Sequence, residues 1–600
     1  MTTTYDAALA LRASGLLAAF NRAGILTAAD VHVAHRLGAI GAEADDAVLL
    51  AAALVVRSTR HGSVVLDLAT AEATTSPDVD IDSPAGVPLD VVLDWPADWV
   101  ARCAASPLVG GPLRMAGSRV WLARYWDQEE QVAAELLTRS ASQPADLDAA
   151  VLDRGLVRLF PGEREGDQRT AAATCAASWV SVLAGGPGTG KTTTVSRLLA
   201  LLREQHPTWR IALAAPTGKA AARLEEAVRS STALLPAEDA ARLGELSATT
   251  LHRLLGWLPE ARSRFRHDRS NRLPVEVVVV DEASMVSLTM MARLLEALRP
   301  ATRLVLVGDP DQLASVEAGA VLGDLVDRRP RAPAARVAVA ALTTNRRFPE
   351  TSGIALLAAA VQEGRGEDAL AVLRDAGVPE VELVEVADDA QLSAAQLDGV
   401  RADVVVSGAA LLSAAEGGDA VAALVALDAH RLLCAHRRGP RGVQHWSALA
   451  ARWIADVHPV LPRADGRYAG EPLLVTANDY EIGLYNGDTG VVVDDGGGGL
   501  VAAFGRGGAP VVVPLVRLGA VRSLHAMTVH RSQGSQFGRI TVLLPEAGSP
   551  LGTRETLYTA VTRATSYVRV IGSAEAFVEA VRRPAARATG LRERLSGTLT

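Results

Sequence analysis

The chain has 600 residues, 49% of them hydrophobic, with a formal charge of −8 and a pI near 5.9. That length exceeds a single core and implies about three or four domains, and the acidic balance excludes blanket polyelectrolyte binding but leaves room for a locally basic groove. Three scattered cysteines, Cys103, Cys175 and Cys434, exclude a disulfide scaffold or zinc module and point to a reducing cytoplasm; no apolar run is long enough to span a bilayer, and no secretory leader pattern opens the chain.

Residues 1–140 read as a mostly helical domain. Helical spacing runs over 7–20 and 45–56, and Trp95, Trp99, Trp121 and Trp126 supply core or interface bulk. The polar stretch 139–149 reads as a linker. From about 150 to 345, β-branched runs at 179–184, 210–215, 275–280 and 303–308 alternate with helices, as in a parallel α/β sheet. A second alternating region covers about 350–600, with strands expected near 403–406, 540–544 and 567–571. Inside it, 472–522 is rich in Val and Gly, carries Asn486-Gly487-Asp488 and the run Gly496 to Gly499, and reads as a small β-barrel insertion with tight hairpins. The tail after about 585 is polar and reads as frayed.

Only two lysines occur, Lys191 and Lys219, in a chain that otherwise uses arginine. Lys191 belongs to Gly185-Gly186-Pro187-Gly188-Thr189-Gly190-Lys191-Thr192, a complete G-x-x-x-x-G-K-T phosphate loop. It follows the apolar run 180–183 and opens a helical stretch from Thr193. The glycines let backbone N–H groups face phosphates at a helix N-terminus. Lys191 is expected to reach the β- and γ-phosphates of ATP, where a compact ammonium fits and a planar guanidinium does not, and Thr192 to hold Mg²⁺. Val277 to Val280 then end in Asp281, suited to Mg²⁺ through water, and Glu282, placed to orient or deprotonate the attacking water. A third strand ends in Asp309-Pro310-Asp311-Gln312, where Gln312 is a candidate γ-phosphate sensor. Arg347 and Arg563 are candidates for the positive charge that hydrolysis needs, both expected from outside the first α/β unit.

These motifs, in this order, resemble those of superfamily 1 helicases, and within them the RecD subunits of exodeoxyribonuclease V (RecBCD). Gln168 looks like the adenine-reading glutamine. Pro216-Thr217-Gly218-Lys219-Ala220-Ala221 resembles motif Ia, and Thr250 to Gly256 the next DNA-facing segment. Asp281-Glu282 and Gly308 to Leu313 are similar to motifs II and III, Arg347-Phe348 to motif IV, Ala526 to Ser535 to motif V and Tyr558 to Ala564 to motif VI. Leu433 to Pro440, and Asn478-Asp479-Tyr480 through Gly490, narrow the likeness to RecD-like proteins. Arg346 and Gln536 depart from the pattern, where an aromatic and a Glu are expected; both adjoin residues assigned chemistry without being among them.

The resemblance implies an α/β fold: two RecA-like parallel-sheet motor domains, 141–348 and 349–600, behind a helical domain 1–140 that docks a RecC-like partner, with an SH3-like barrel at 472–522. It implies an ATP- and Mg²⁺-dependent 5′→3′ helicase with RecB-like and RecC-like partners, cytoplasmic, and no nuclease in this chain. The ATP site then includes Gln168, the loop Gly185 to Thr193 and Gly534. The DNA path includes Pro216, Thr217, Lys219, His252, Arg253, Thr528, His530 and Ser532, mostly donors after strand ends that suit backbone tracking. The competing readings are a stand-alone RecD-like helicase, a P-loop NTPase switch that moves no DNA, and a structural subunit with a dead site.

Overall fold

The computed structural model describes residues 9–599 apart from 78–92, 163–164, 259–263, 316, 327–336, 350, 389–391, 460–461, 463–465, 480, 506–508 and 586, so Tyr480 of the family pattern lies outside the described residues. The N-terminal region packs helices Gly15–Arg22, Ala28–Gly41 and Asp46–Arg60. Asp45 and Thr27 cap two of them, Thr27 in a reciprocal box with Asp30. Phe20, Leu50, Leu54 and Trp99 fill their core. A small antiparallel sheet, unexpected from sequence, completes this region: β1 (Val65–Asp67), β2 (Leu113–Ala116) and β3 (Arg119–Leu122), in the order β1-β3-β2.

The helix Ala123–Ser140 leaves that core. Val132, Ala133 and Leu136 join the core of the next unit, against the helix Leu288–Ala297. The 139–149 linker is therefore shorter than its polarity suggests, and Arg139 lies buried, donating to the carbonyls of Leu298, Arg299 and Thr302.

The first α/β unit is a six-stranded, wholly parallel sheet: β4 (Val180–Gly185), β5 (Ile211–Ala215), β6 (Ala248–Thr250), β7 (Val277–Val280), β8 (Arg303–Gly308) and β9 (Ala338–Leu342), ordered β6-β5-β7-β8-β4-β9. β4, β7 and β8 are buried along their full length, as central strands covered by helices on both faces must be.

The second unit holds another parallel sheet, β10 (Val381–Glu385), β11 (His430–Cys434), β17 (Ala526–Thr528), β18 (Phe537–Leu543) and β19 (Ala564–Gly572), ordered β10-β19-β18-β11-β17. Between β11 and β17 comes an antiparallel five-stranded sheet of β12 (Pro472–Val475), β13 (Thr489–Asp494), β14 (Leu500–Phe504), β15 (Val511–Pro514) and β16 (Val521–Ser523), ordered β15-β14-β13-β12-β16. The run Gly496–Gly499 makes a tight hairpin between β13 and β14, whereas Asn486-Gly487 lies in a longer connection.

Two expectations fail. The strand expected at 403–406 is the middle of helix Ala394–Glu416. Its Val404-Val405-Val406 suggests β, but Val400, Val404, Gly408, Leu411 and Ala415 are buried at helical spacing, and Ser393 with Gln396 forms a capping box. The tail is not frayed. Residues 587–599 return to the first unit and the N-terminal region, where the helix Leu591–Ser596 buries Leu591 and Leu595. No helix among the described residues is long and apolar enough to cross a membrane.

Candidate functional site

A cavity of about 570 Å³ opens between the two parallel-sheet lobes, over the end of β4. The phosphate loop forms one wall, between β4 and the helix Lys191–Gln205. Gly188 and Gly190 both have φ +84°, a region only glycine enters freely. A Cβ on Gly188 would come within 2.6 Å of the Arg347 Cβ, and one on Gly190 would run into the Gln168 amide. Lys191 Nζ donates to the carbonyls of Gly185 and Gly186, at 2.7 and 2.9 Å, which holds the ammonium at the loop. Gln168 is fully buried; its Nε2 donates to the Thr189 and Gly190 carbonyls, both at 3.3 Å, while its Oε1 is buried without a partner. An unmet acceptor there suits a donor such as an adenine amino group. Thr192 and Thr193 line the same cavity.

The lining also carries carboxylates from the same sheet. Asp281 and Glu282 follow the buried β7; burial, then the Glu282 charge, push the Asp281 carboxyl up to about 6 against the pull of Lys191. Glu282 stands at φ +50°, a strained setting for a side-chain residue and one that recurs at functional sites. Asp309, after β8, is pushed up to about 6 by burial and accepts from Gln312 Nε2 at 2.9 Å. Gln312 also faces the cavity, with a buried and unpartnered Oε1. The contact between lobes falls to its neighbour: Leu313 N–H donates to Thr559 Oγ1 at 2.9 Å, and Gln533 Nε2 donates to the Leu313 carbonyl at 2.6 Å.

Two arginines close the cavity. Arg563 is buried after the helix Arg554–Val561, and the carbonyls of Thr559 and Ser535 accept from its guanidinium at 3.0 and 3.3 Å. Arg347 has a buried, unpartnered Nη1, and burial followed by the Arg563 charge lowers its pKa. Its origin differs from expectation. It follows β9 of the first sheet, and the adjacent Arg346 N–H donates to the Gly188 carbonyl at 2.8 Å. Of the two arginines, Arg563 alone reaches in from the second lobe.

Three family profiles match: "RecBCD enzyme subunit RecD, N-terminal domain" over 22–121, "AAA domain" over 168–318 and "UvrD-like helicase C-terminal domain" over 523–571. The RecBCD enzyme subunit RecD of Mycobacterium tuberculosis is 51% identical over 601 residues, covering 99% of both chains, and that of Mycolicibacterium smegmatis is 51% identical over 97% of this chain and 99% of its own. The chain belongs to the RecD family. Its enzyme class is therefore ATP-dependent DNA helicase. The ATP-dependent RecD2 DNA helicase of Deinococcus radiodurans is 30% identical over 82% of this chain but only 60% of its own length. Bacteroides Pif1 bound to ssDNA superposes loosely, with a TM-score of 0.35 and 18% identity over 68% of this chain and 91% of that one.

In this RecD chain the expected DNA-facing segments share one design. Thr217, just past β5, and Thr250 and Thr528, the last residues of β6 and β17, each cap the next helix, their hydroxyls accepting from Ala220, Arg253 and Arg531 N–H. Pro216 lies between β5 and Thr217. Lys219 is half-buried, while His252 and Arg253 are exposed, so His252 is no core histidine; it sits against Trp257 and Phe265. His530 is half-buried and pushed down to about 4 by burial and then by Arg587 and Arg437, so it stands neutral. Ser532 is a correction: it is fully buried and donates to the Val529 carbonyl at 2.7 Å, leaving nothing to offer a strand.

Arg223 lies outside every motif named from the sequence, and Leu313, Gln533 and Tyr485 lie inside such motifs without a role assigned to them. Arg223 lines the cavity between the lobes, and the Tyr485 ring covers Gly218 so closely that a Cβ there would overlap it. Arg223 shares a helix with Lys219 at four-residue spacing, which is a readable signal; the other contacts join segments far apart in sequence.

Proposed function

We propose that this chain is the ATP-driven 5′→3′ motor subunit of a RecBCD-type helicase–nuclease that unwinds double-strand DNA ends for recombinational repair, with RecB-like and RecC-like partners in the cytoplasm. One observation carries the motor reading: Lys191 and Glu282 of the first lobe and Arg563 of the second line a single cavity. Any ligand that draws on all three must close the cleft. The 5′→3′ polarity comes from the family resemblance.

Within that reading Lys191 and the loop N–H groups hold the β- and γ-phosphates, and Glu282 orients the attacking water. Arg563 and Arg347 offset the developing charge. Thr192 and Asp281, oxygen donors lining one cavity, suit Mg²⁺, which would screen the phosphate charge. Gly534 borders the nucleotide, and Gln168 reads the adenine. Strand contacts come from Pro216, Thr217, Lys219, His252, Arg253, Thr528 and His530. Closure and reopening, with unequal grip by the two lobes, move the strand.

The domain reading becomes an N-terminal docking domain ending near Leu122, then two RecA-like motor units. The β12–β16 sheet acts as an SH3-like insertion beside the strand. The N-terminal match over 22–121 favours a complex subunit over a stand-alone helicase. Co-purification with RecB- and RecC-like chains tests the partnership. In such a complex, Lys191→Gln should abolish 5′→3′ unwinding while assembly survives; unwinding at the unchanged rate would sink the motor assignment.

A further inference from the structure

Lys219 and Arg223 are separated by four residues on the helix Gly218–Thr232, and therefore lie on one face. Two cations so placed repel each other, and helix stability gives no reason to keep them. Arg223 is turned into the ATP cavity, where it lies beside Glu282 and Arg563. Its Nη1 donates to the carbonyl of Gly534, which belongs to the second lobe. The next residue, Ser535, accepts from Arg563. The Gly534–Ser535 turn is thus held by one arginine from each lobe. The Arg563 bond stays within the second lobe when the cleft opens; the Arg223 bond joins the lobes and must break.

We infer that Arg223 is a positioning residue that couples nucleotide-driven cleft closure to the grip of the Lys219 helix on the DNA strand. Closure brings Gly534 and the Asp428 carboxylate, both of the second lobe, to Arg223, whose same-lobe neighbour Glu282 stays in place. This fixes the helix whose first turn carries Thr217 and Lys219. Opening releases the guanidinium and frees that turn. The inference rests on the motor reading above, because it needs both a nucleotide and a strand.

The test uses the full-length chain, a nonhydrolysable ATP analogue and a labelled oligothymidylate. The readout is the factor by which the analogue changes the dissociation constant of the oligonucleotide, a coupling that by linkage is the same in either direction. Arg223→Gln should bring that factor to within about twofold of one. Arg223→Lys, which keeps the charge and a single donor, should give an intermediate factor and guards against a fold effect. Simple fold damage weakens both affinities and leaves their coupling in place. A normal wild-type factor that survives in both variants overturns this inference alone. A wild-type factor of one overturns the motor reading with it.

Discussion

Lys191 and Lys219 occupy opposite ends of the chemistry. Lys191 donates to two loop carbonyls and faces the half-buried Asp281 and the buried Asp309. Burial lowers the pKa of Lys219 to about 7, with Arg223 adding to the effect. The ammonium is therefore charged below that pH and neutral above it. A phosphate beside it raises the pKa again, so strand binding above pH 7 takes up a proton. Single-strand affinity should fall by up to about tenfold per pH unit between about 7 and 9. The fall should vanish in Lys219→Arg, whose guanidinium stays charged. Anisotropy titrations across that range measure it, and identical profiles for the two proteins would remove Lys219 from the strand path. The motif made Lys191 legible because its spacing is set by phosphate geometry. No such template exists for Ser532, whose burial depends on packing that its neighbours in sequence do not reveal.

Elements with a local cause were the legible ones. The phosphate loop requires glycine at two left-handed positions, and both are glycine. Gly190→Ala should cut ATP affinity at least about tenfold, since its Cβ meets the Gln168 amide and its φ is strained. Calorimetric titration of the nucleotide decides this, and near-normal binding would show that the loop tolerates a side chain there. The central strands of the first parallel sheet announced themselves as continuous apolar runs, and β18 and β19 of the second were legible in part, whereas its β11 was not. Nor was the helix Ala394–Glu416, because three consecutive valines outweighed an Ala-rich frame and a capping box. The small N-terminal sheet went unread because its strands are three or four residues long, too short for a period to show.

Across the whole molecule, the C-terminal segment ties lobes that are distant in sequence. Ala588 pairs with Val64 and Ser63, and Gly590 N–H donates to Glu129 at 2.7 Å. Glu129 is fully buried, accepts from Trp121 Nε1 at 3.1 Å, and is pushed up to about 7 by burial. Arg594 stacks 3.9 Å over Trp126. Deleting 587–600 removes two buried leucines, roughly 1.5–3 kcal/mol each, and strands the Glu129 carboxyl. The melting temperature should drop by several degrees, with new protease cleavage near 121–140. An unchanged melting curve would mean the segment is only laid against the surface.

Composition and motif spacing alone determined the ATP chemistry, the two parallel-sheet lobes and the family, because each rests on residues close together in the chain whose geometry a single loop or strand imposes. Tertiary structure decided which arginine crosses the cleft, which donors remain available to a strand, and where the tail goes. Those depend on burial and on contacts such as Arg223 with Gly534 and Glu129 with Gly590, hundreds of residues apart, which no local pattern encodes.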